Sequence, residues 1–396
     1  MPSVLYPRRL HPALREHLSS RQITVITGMR RTGKTTLVKQ LLSDIASDNK
    51  IYIDLERIDN REIFAEKNYD AIVYTLRQRG IDTGKRAYLA LDEIQLVQTI
   101  PSVLKYLYDI CDIKFIVTGS SSYYLKNLFS ESLSGRKKVF ELYPLDFGEM
   151  LTFREVPHSP GGDPFMTQFN SPEYERLKGC YEEYIEYGGF PEVVLASKAG
   201  EKRDLINDVI SSYVNIDVRT LADFRNRDGL YQLMKMLASR SSTRLEYSKL
   251  SRLSGLSRVT VQNYIEFLEK TYLIRRVPVM TRNPDREIVK AKKLYFCDNG
   301  ILSVLGNVSS GVKFENAVFT QLHQRGALSY YSLKNGREID FILEKAIALE
   351  VKESPDEQDE VLLRELSGRV SVKKHRLVGR HPVPRFKNYV WGGEIR

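Results

Sequence analysis

Eight consecutive residues, Gly28–Thr35, have the types and the spacing that bind nucleotide phosphates. They fit the pattern G-x-x-x-x-G-K-[ST] without a gap. Glycines let backbone N–H groups turn towards phosphate oxygens, and the N-terminus of the following helix adds its positive end. In such a loop we expect Lys34 to reach the β- and γ-phosphates and the Thr35 hydroxyl to bind Mg²⁺. The residues predicted to contact ATP here are Gly28, Arg30, Arg31, Thr32, Gly33, Lys34, Thr35 and Thr36.

An acidic pair, Asp92 and Glu93, follows the mostly apolar run Ala87–Leu91. Such a run is typical of a buried parallel strand, and ligands bind outside the carboxyl ends of these strands. We expect Asp92 to hold the Mg²⁺ shell and Glu93 to orient and deprotonate an attacking water. Because the second acid directly follows the metal-binding aspartate, the pattern favours hydrolysis over binding alone.

Two further positions could act on the γ-phosphate. The run Lys114–Thr118 predicts a strand, and Thr118 or Ser120 at its end could sense the γ-phosphate, although turn formation explains these residues equally well. Arg136 precedes another predicted strand, Lys137–Tyr143, and could act as an arginine finger on the nucleotide of a neighbouring subunit. A solvated basic loop is an equally good explanation of this arginine.

A second group of charged residues lies near the C-terminus, on two runs that predict a β-hairpin, Arg337–Leu343 and Ala346–Lys352. Because side chains alternate along a strand, Glu350 and Lys352 share a face, and Asp340 can lie across from them. Two carboxylates can hold Mg²⁺ or Mn²⁺ while a lysine stabilises charge or orients water, which is the chemistry of metal-assisted phosphodiester hydrolysis. The alternative is a fold kept for binding, in which these strand ends have no catalytic role.

Between these two groups, three predicted helices and a β-rich stretch are typical of a winged helix-turn-helix. The helices cover 230–238, 246–253 and 258–271, with a glycine turn before the third. If the element binds DNA, Arg258, Thr260, Gln262 and Asn263 would face the major groove, and Arg275, Arg276 and Arg282 would meet phosphates. Glu266 and Glu269 on the same helix would repel a phosphate backbone, so a rigid connector is the alternative role.

The length and composition of the chain limit what these elements can be. A chain of 396 residues is too long for one ordinary core and suggests two or three domains. No apolar run approaches the ~18 residues of a membrane helix, and no signal peptide is evident at the N-terminus. The three cysteines and six histidines lack metal-ligand spacing, which fits a reducing cytoplasm. A net charge of +10 favours an anionic partner such as nucleic acid, although solubility explains a basic balance equally well.

The order of the predicted elements indicates an α/β fold with a parallel sheet around the phosphate loop. We predict four regions, namely an ATPase core over 1–145, a helical lid over 146–228, a winged helix over 229–282 and an α/β nuclease-like domain over 283–396. Within the lid, Gly188–Pro191 interrupts a helix, and glycine and proline explain such a stop unaided.

Several of these motifs together resemble a group of prokaryotic ATPases of the AAA superfamily that carry a C-terminal domain of unknown function, the one numbered 4143. The motifs are Gly28–Thr35, Leu91–Gln95, Val117–Ser121, Leu133–Arg136 and Leu142–Leu145. The resemblance runs the length of the chain and implies an ATPase core with a helical lid. It also implies that Arg136 acts in trans within a homo-oligomeric ring, of six subunits as in relatives. Gly188–Pro191 resembles the glycine–proline element of related signal-transducing and archaeal ATPases, which implies that Pro191 packs near the adenine.

The C-terminal residues Asp340, Glu350 and Lys352, with Glu315 on the preceding predicted helix, resemble the PD-(D/E)XK nuclease fold. Ile339 stands where a proline usually precedes the first acid. Together the motifs predict a cytoplasmic, ATP-hydrolysing protein that binds nucleic acid, with DNA as the expected form, and that could cleave or remodel it with a metal ion. The alternative is a nucleotide-controlled signalling switch or scaffold whose C-terminal domain only binds a protein partner.

Overall fold

The computed structural model describes residues 5–120, 135–159, 165, 169–218, 227–281, 290–383 and 385–396. The chain divides into two compact units. The first comprises Met1–Tyr143, Asn215–Asp223 and Lys270–Tyr272, and the second comprises Pro144–Val214, Phe224–Glu269 and Leu273–Arg396. Three positions of the sequence motifs, Ser121, Leu133 and Ser134, and the predicted phosphate contact Arg282 lie outside the described residues.

A five-stranded parallel sheet is the centre of the first unit. Its strands are β1 (Ile23–Thr27), β2 (Lys50–Asp54), β3 (Ala87–Asp92), β4 (Ile113–Gly119) and β5 (Lys137–Glu141). Their order is β2-β3-β4-β1-β5, and every neighbouring pair is parallel. β4 therefore lies between the strand that leads into the phosphate loop and the strand that ends in Asp92.

Helices cover both faces of this sheet, so its inner strands are apolar on both sides. The helices are α1 (His11–His17), α2 (Lys34–Asp44), α3 (Ile58–Ala65), α4 (Tyr69–Gln78) and α5 (Ile100–Ile110). Successive residues of β1 enter different apolar clusters, since Val25 packs in the cluster that contains Leu104 of α5, while Ile26 packs with Leu37 and Leu41 of α2. This double burial explains why the strands are nearly continuous hydrophobic runs in the sequence.

The second unit begins with helices in the region predicted as a lid. They are α6 (Phe147–Phe153), α7 (Ser171–Tyr187), α8 (Pro191–Leu195) and α9 (Ala199–Ser212). The interruption predicted at Gly188–Pro191 is present, because α7 ends and α8 begins on either side of it. A π-helix, Tyr213–Asp217, continues from α9, and its residues from Asn215 onward belong to the first unit.

Three helices follow, α10 (Arg227–Ala238), α11 (Tyr247–Ser254) and α12 (Arg258–Lys270), and then two antiparallel strands, β6 (Ile274–Val277) and β7 (Lys293–Phe296). Arg244, between α10 and α11, forms a further antiparallel bridge to Lys293 of β7. On α12 the buried residues Val261, Ile265 and Leu268 recur at helical spacing. The opposite face of α12 is therefore left for solvent or a partner.

A second five-stranded sheet forms the C-terminal part of this unit. Its strands are β8 (Leu328–Ser332), β9 (Glu338–Leu343), β10 (Ile347–Lys352), β11 (Lys374–Gly379) and β12 (Tyr389–Trp391), in the order β12-β11-β10-β9-β8. Helices α13 (Asn299–Leu305) and α14 (Ser310–Leu322) precede it, and α15 (Glu357–Arg369) connects β10 to the parallel strand β11. The predicted hairpin is β9 and β10. Among all the helices that the structure describes, none is long and apolar enough to cross a bilayer.

Candidate nucleotide site and a second carboxylate cluster

The loop between β1 and α2 holds the residues of the predicted phosphate site. A Cβ atom at Gly28 would lie 2.1 Å from the carbonyl oxygen of Leu142, so only glycine lets the chain pass here. Gly33 has a φ of 91°, a left-handed conformation that suits glycine, and it immediately precedes the helix. Lys34–Thr36 then form the first turn of α2, whose backbone N–H groups have no partner within the helix.

Arg8, which no motif predicted, fixes this loop from outside it. Its guanidinium donates to the carbonyl oxygen of Thr32 at 2.7 Å and to that of Tyr143 at 2.7 Å. Thr32 also closes the loop internally, since its hydroxyl donates to the carbonyl oxygen of Met29 at 2.9 Å. Hydrogen bonds from a charged donor are stronger than neutral ones, so Arg8 ties the phosphate loop firmly to the segment after β5.

Lys34 is buried and turns back over the loop. Its ammonium donates to the carbonyl oxygens of Gly28 at 3.0 Å and Met29 at 3.2 Å, and it lies 3.8 Å from Oε1 of Glu93. The two nearest partners are therefore neutral carbonyl groups. Because an ammonium binds an anionic phosphate more strongly than a carbonyl, a phosphate in the loop can replace these bonds.

Asp92 is surrounded by hydroxyl groups. Its Oδ2 accepts from the Thr35 hydroxyl at 2.6 Å and from the Tyr52 hydroxyl at 2.7 Å, and its Oδ1 accepts from the Thr118 hydroxyl. Burial and the bond to Asp92 raise the pKa of Tyr52, which keeps this hydroxyl protonated. The Thr35 hydroxyl and the Asp92 carboxylate are hard oxygen donors held side by side, and such donors fit Mg²⁺.

Glu93 is held by the end of β4 and by Gln95. Its backbone N–H donates to the Thr118 hydroxyl at 3.0 Å, and its carboxylate accepts from the Gln95 amide, which also donates to Ser120 Oγ at 3.1 Å. Glu93 has a left-handed φ of 56°, an uncommon conformation for a residue other than glycine that recurs at functional sites. Thr118 and Ser120 thus contact the acidic pair, the first directly and the second through Gln95.

Asp217, at the end of the π-helix, is a further acid at this site that the motifs did not predict. Its Oδ1 accepts from Nε of Arg30 in the phosphate loop at 3.3 Å, while Arg30 also pairs with Glu56 at 3.1 Å. Burial raises the pKa of Asp217, although Arg30 and Lys34 act to lower it. Asp217 comes from a distant part of the sequence, so no local spacing could have indicated it. The neighbouring loop residue Arg31 has a left-handed φ of 64°.

Arg136 lies at the other end of the sheet from the phosphate loop. Ile23 at the start of β1 pairs with Lys137 at the start of β5, so the preceding residue, Arg136, is at the amino end of both strands. Its side chain pairs with Asp109 at 3.2 Å and lies over the ring of Tyr108. Arg136 therefore cannot act on the nucleotide of its own subunit.

Residues 20–151 match the model of a family described as an AAA domain. This match covers the parallel sheet, the phosphate loop and the acidic pair. The first unit has an AAA-type P-loop ATPase fold. A model described as "Domain of unknown function (DUF8612)" matches residues 179–311 of the chain, so the domain of unknown function that matches differs from the one that the motifs implied.

The curated relatives of this chain carry no named activity. An uncharacterized protein of Haemophilus influenzae is 26% identical over 360 residues, which cover 86% of each chain. An uncharacterized protein of Methanocaldococcus jannaschii is 27% identical over 81% of this chain and 72% of that protein. Among solved structures, the Walker-type ATPase PABY2304 of Pyrococcus abyssi is similar with a TM-score of 0.47 and 17% identity, over 76% of this chain and 96% of that chain. The Orc1 protein of Aeropyrum pernix in complex with DNA has a TM-score of 0.34 and 14% identity, over 82% of this chain and 95% of that chain.

In the second unit, the predicted acids of the hairpin lie together. Leu349 pairs with Phe341, so Glu350 and Asp340 are the next residues opposite each other and share a face. Oδ2 of Asp340 accepts from the backbone N–H of Val351 at 3.0 Å. Glu350 pairs with Lys352 at 2.6 Å. Burial and the nearby Asp340 raise the pKa of Glu350 to about 8, although Lys352 opposes this shift.

A lysine that the sequence did not single out, Lys293 of β7, lies among three carboxylates. Its ammonium is 2.8 Å from Glu338, 3.2 Å from Asp340 and 3.7 Å from Glu315. We call Lys293, Glu315, Glu338 and Asp340 the Lys293 cluster. Burial disfavours the charged lysine, but the three acids outweigh this effect and raise its pKa. Burial and the nearby Asp340 raise the pKa of Glu315 to about 7.

The prediction of a metal ion held by Asp340 and Glu350 does not fit this arrangement. The ammonium of Lys293 already contacts Asp340, and that of Lys352 already contacts Glu350. Across the described parts of the chain, no group of three or more His, Cys, Asp or Glu side chains is arranged to hold a metal ion. In this structure ammonium groups of the protein therefore lie beside both acids of the predicted PD-(D/E)XK metal site.

The predicted DNA-contact residues divide into two groups. Arg258, Gln262 and Asn263 are exposed on α12, as a recognition helix requires. The guanidinium of Arg276, a predicted phosphate contact, is held by Glu269 at 2.7 Å and by the Tyr247 hydroxyl at 2.9 Å. Arg275, the preceding residue, is partly buried on β6, where it lies opposite Tyr295 of β7.

A cavity of about 440 Å³ is lined by the segment between α10 and α11, by α11, by Lys293 of β7 and by Glu338 of β9. Its charged lining residues are Arg240, Arg244, Lys249, Lys293, Glu246 and Glu338. Four of these side chains are cationic and two are acidic, so the cavity favours an anion.

Pro191, the predicted adenine contact, is the first residue of α8 in the second unit. Immediately before it, the backbone N–H of Gly189 donates to Oδ2 of Asp298 at 2.8 Å, and the carbonyl oxygen of Gly189 accepts from Leu145 N–H at 2.7 Å. The glycine–proline segment thus has clear partners within its own unit. Its contact with a nucleotide stays a prediction.

Proposed function

We propose that the AAA-type unit binds ATP together with Mg²⁺ and hydrolyses it. The observation that carries this proposal is the pairing of the Thr35 hydroxyl with the Asp92 carboxylate at 2.6 Å, next to Lys34 and Glu93. In P-loop NTPases a hydroxyl and a carboxylate in these roles hold the Mg²⁺. When bound, the metal ion would neutralise charge that develops on the phosphates.

The residues of the chain then have separate tasks. Lys34 binds phosphate oxygens, in exchange for its bonds to loop carbonyl groups. The Glu93 carboxylate takes up the proton of the attacking water, and Gln95 orients that carboxylate. Tyr52 and Thr118 hold Asp92 in position through their hydroxyl groups.

A Glu93→Gln variant tests hydrolysis directly, because it keeps the size of the side chain and removes its basicity. We expect ATP turnover, followed by phosphate release, to fall ~10²-fold or more. Binding of a fluorescent ATP analogue should be retained. Glu66→Gln, at an exposed glutamate of the same unit, is the matched control. Unchanged turnover in Glu93→Gln would remove this residue from the proposed mechanism.

We also propose that Arg136 acts on the nucleotide of a neighbouring subunit in a homo-oligomer, with six subunits as the expected number. Its place at the amino end of the sheet supports action in trans rather than in cis. Arg136→Ala and Lys34→Ala should each be inactive, and mixing them should restore part of the ATP turnover through composite sites. Arg21→Ala is the matched control, since Arg21 also lies over the Tyr108 ring. Full activity of Arg136→Ala alone would contradict the proposal.

For the second unit we propose nucleic-acid binding, with DNA as the expected ligand. Support comes from the order of three helices and two antiparallel strands, with the extra bridge from Arg244 to β7, an order that is compatible with a winged helix-turn-helix. The exposed Arg258, Gln262 and Asn263 on the third helix suit a major-groove contact. The cationic cavity and the net charge of +10 also favour an anionic partner.

A triple variant, Arg258→Ala with Gln262→Ala and Asn263→Ala, tests this interface. We expect duplex DNA affinity to fall at least ~10-fold, and the dependence of log affinity on log salt to become shallower by about 1 from the lost arginine. Arg369→Ala, at an exposed arginine that pairs with Glu365, should change neither quantity. Absence of salt-dependent binding in the wild type would reject the DNA hypothesis.

The second candidate function is a nucleotide-controlled switch whose C-terminal domain binds a partner without catalysis. The Lys293 cluster favours this role for the domain, because its carboxylates are already paired with an ammonium. We expect equal DNA cleavage by the wild type and Asp340→Ala in Mg²⁺ or Mn²⁺, at the background level of the preparation. A cleavage activity that Asp340→Ala abolishes would restore the nuclease hypothesis.

A further inference from the structure

We propose that Lys293 is the resident cation of the C-terminal carboxylate cluster and takes the place that a divalent metal ion has in nuclease-like sites. The domain therefore works in a metal-free form. This inference concerns the second unit alone and does not depend on ATP hydrolysis in the first.

The carboxylates around Lys293 suit an ammonium group. Lysine has three N–H donors and no acceptor. Three carboxylates surround Lys293, with Glu338 at 2.8 Å and Asp340 at 3.2 Å within hydrogen-bond distance and Glu315 further away at 3.7 Å. The lysine is only 2% exposed, so water contributes little to its solvation and the acids must supply it.

Each of the three carboxylates is also fixed by a second donor. Glu315 accepts from the Tyr295 hydroxyl at 2.7 Å, Asp340 accepts from Val351 N–H at 3.0 Å, and Glu338 accepts from Arg244 at 3.2 Å. A metal ion would have to displace the Lys293 ammonium and also rearrange these bonds. The cluster is thus complete with the charges that the chain provides.

Restricted access is not the reason for the absence of a metal site. The cavity of about 440 Å³ reaches both Lys293 and Glu338, so small ions can approach the cluster from it. However, Arg240, Arg244 and Lys249 line the same cavity and outnumber its one further acid, Glu246. Like charges oppose the entry of a divalent cation and favour that of an anion. The exclusion of metal therefore rests on charge.

If Lys293 stands in for a metal ion, replacing it should create a metal site. Lys293→Gln leaves three carboxylates without their ammonium, and hard, clustered carboxylate oxygens are what Mn²⁺ and Mg²⁺ bind. The variant should therefore gain a metal site that the parent protein lacks. If Lys293 had a purely structural role, its replacement would not create a metal site.

The experiment measures Mn²⁺ binding to the nucleotide-free full chain by electron paramagnetic resonance. All proteins carry Asp92→Asn, which removes the metal ligand of the ATP site. We expect no stoichiometric Mn²⁺ in this background and one Mn²⁺ per chain once Lys293→Gln is added. The thermal unfolding midpoint of the Lys293→Gln protein, read from Trp391 fluorescence in the second unit, should rise with Mn²⁺ and that of the background should not.

Two further variants complete the test. Adding Asp340→Asn to Lys293→Gln should abolish the new Mn²⁺ site, and Lys249→Gln, at an exposed lysine of the same cavity, should create none. A folded Lys293→Gln protein that binds no Mn²⁺ would overturn the proposal. If Lys293→Gln folds only when Mn²⁺ is present, the result supports it. If Lys293→Gln does not fold at all, the Asp92→Asn protein with Lys293 intact provides the test. Mn²⁺ that binds to this protein and is lost on Asp340→Asn would overturn the proposal. If this protein binds no Mn²⁺, the result supports the proposal.

Discussion

Lys34 in the first unit and Lys293 in the second are both buried lysines close to carboxylates at a β-sheet, but they contact different atoms. Lys34 donates to two loop carbonyl oxygens and lies 3.8 Å from a single acid, Glu93. Lys293 lies among three acids, at 2.8 to 3.7 Å. The nearby Asp92 is bonded to hydroxyl groups, whereas Asp340 is bonded to the ammonium of Lys293.

The difference shows how the same residue types can make an exchangeable site or a closed one. Neutral carbonyl and hydroxyl partners can be replaced by phosphate and Mg²⁺, because the incoming charges bind more strongly. Where an ammonium already lies among the acids, an incoming cation must displace it before the carboxylates can bind that cation. The presence of a lysine and two acids in a sequence therefore does not by itself indicate a catalytic metal site.

The largest expected effect is on the stability of the second unit. Lys293→Met removes the buried ammonium that pairs with Asp340 and Glu338, and breaking a buried ion pair from one side costs about 3–5 kcal/mol. We expect the free energy of unfolding to fall by this amount in urea, followed by Trp391 fluorescence in metal-free buffer. Lys249→Met, at an exposed lysine, should leave it unchanged. A loss below ~1 kcal/mol would mean that the cluster is hydrated and that the contrast with Lys34 is weaker than we infer.

The next effect concerns catalysis rather than stability. Lys34→Met removes the ammonium that binds phosphate, and loss of one such charged donor lowers turnover ~10²–10³-fold. Phosphate release under saturating ATP measures this change. Lys105→Met, at an exposed lysine of the same unit, is the control. Because its main partners are neutral, Lys34→Met should also leave the midpoint of urea unfolding nearly unchanged, in contrast to Lys293→Met.

A third buried lysine, Lys114 of β4, extends the comparison to a lysine bonded to neutral groups. It donates to the carbonyl oxygen of Gln22 and lies 3.4 Å from His17 Nδ1. Burial, with a smaller effect of Arg86, lowers the pKa of Lys114 to about 7. The unfolded chain keeps the proton up to its ordinary pKa, so the folded state gains stability as the pH rises above 7. Relative to Lys114→Met, the wild type should gain at most about 1.4 kcal/mol per pH unit between pH 7 and 9.

Denaturant titrations at pH 7, 8 and 9, followed by circular dichroism, measure the difference between wild type and Lys114→Met. A difference that stays constant with pH would show that Lys114 is charged in the folded state, as Lys293 is. The three lysines would then differ in partners but not in protonation.

The smallest expected effect is on nucleotide affinity. The Asp217 carboxylate faces Arg30 and lowers the positive charge that the loop offers to phosphate. Asp217→Asn keeps the shape of the side chain and removes its charge, so ADP should bind about fivefold more tightly, on the order of 1 kcal/mol. Calorimetric titration with ADP measures this change in affinity, and Asp208→Asn on α9 is the control. Weaker binding in Asp217→Asn would indicate that the acid positions Arg30 for the phosphate instead.

The parts of the fold that sequence analysis predicted are those encoded locally. Gly28–Thr35 is contiguous, and Asp92 and Glu93 directly follow an apolar strand, so spacing alone identified them. Parallel strands then bring their carboxyl ends to one edge of the sheet, which is why Thr118 meets Asp92. The predicted hairpin of β9 and β10 is present for the same reason, since strand alternation is a local property.

The residues that sequence analysis missed, and the partners it could not foresee, depend on contacts between distant segments. Arg8, Asp217 and Lys293 reach their sites only through the tertiary fold, and no motif includes them. Arg276 seemed suited to phosphate by charge alone, but Glu269 binds it within the second unit. For Asp340, the sequence shows which acids are present and not which cation lies beside them.

The contact between Asp217 and Arg30 has a thermodynamic consequence for the segment at the end of the π-helix. A triphosphate that draws Arg30 towards its own oxygens weakens the hold of the phosphate loop on that segment. By linkage, any partner or movement that pulls the segment away must strengthen nucleotide binding by the same factor. Nucleotide binding to the loop and release of residues 215–218 from Arg30 are thus coupled by a single free energy. A label on this segment would therefore report nucleotide exchange.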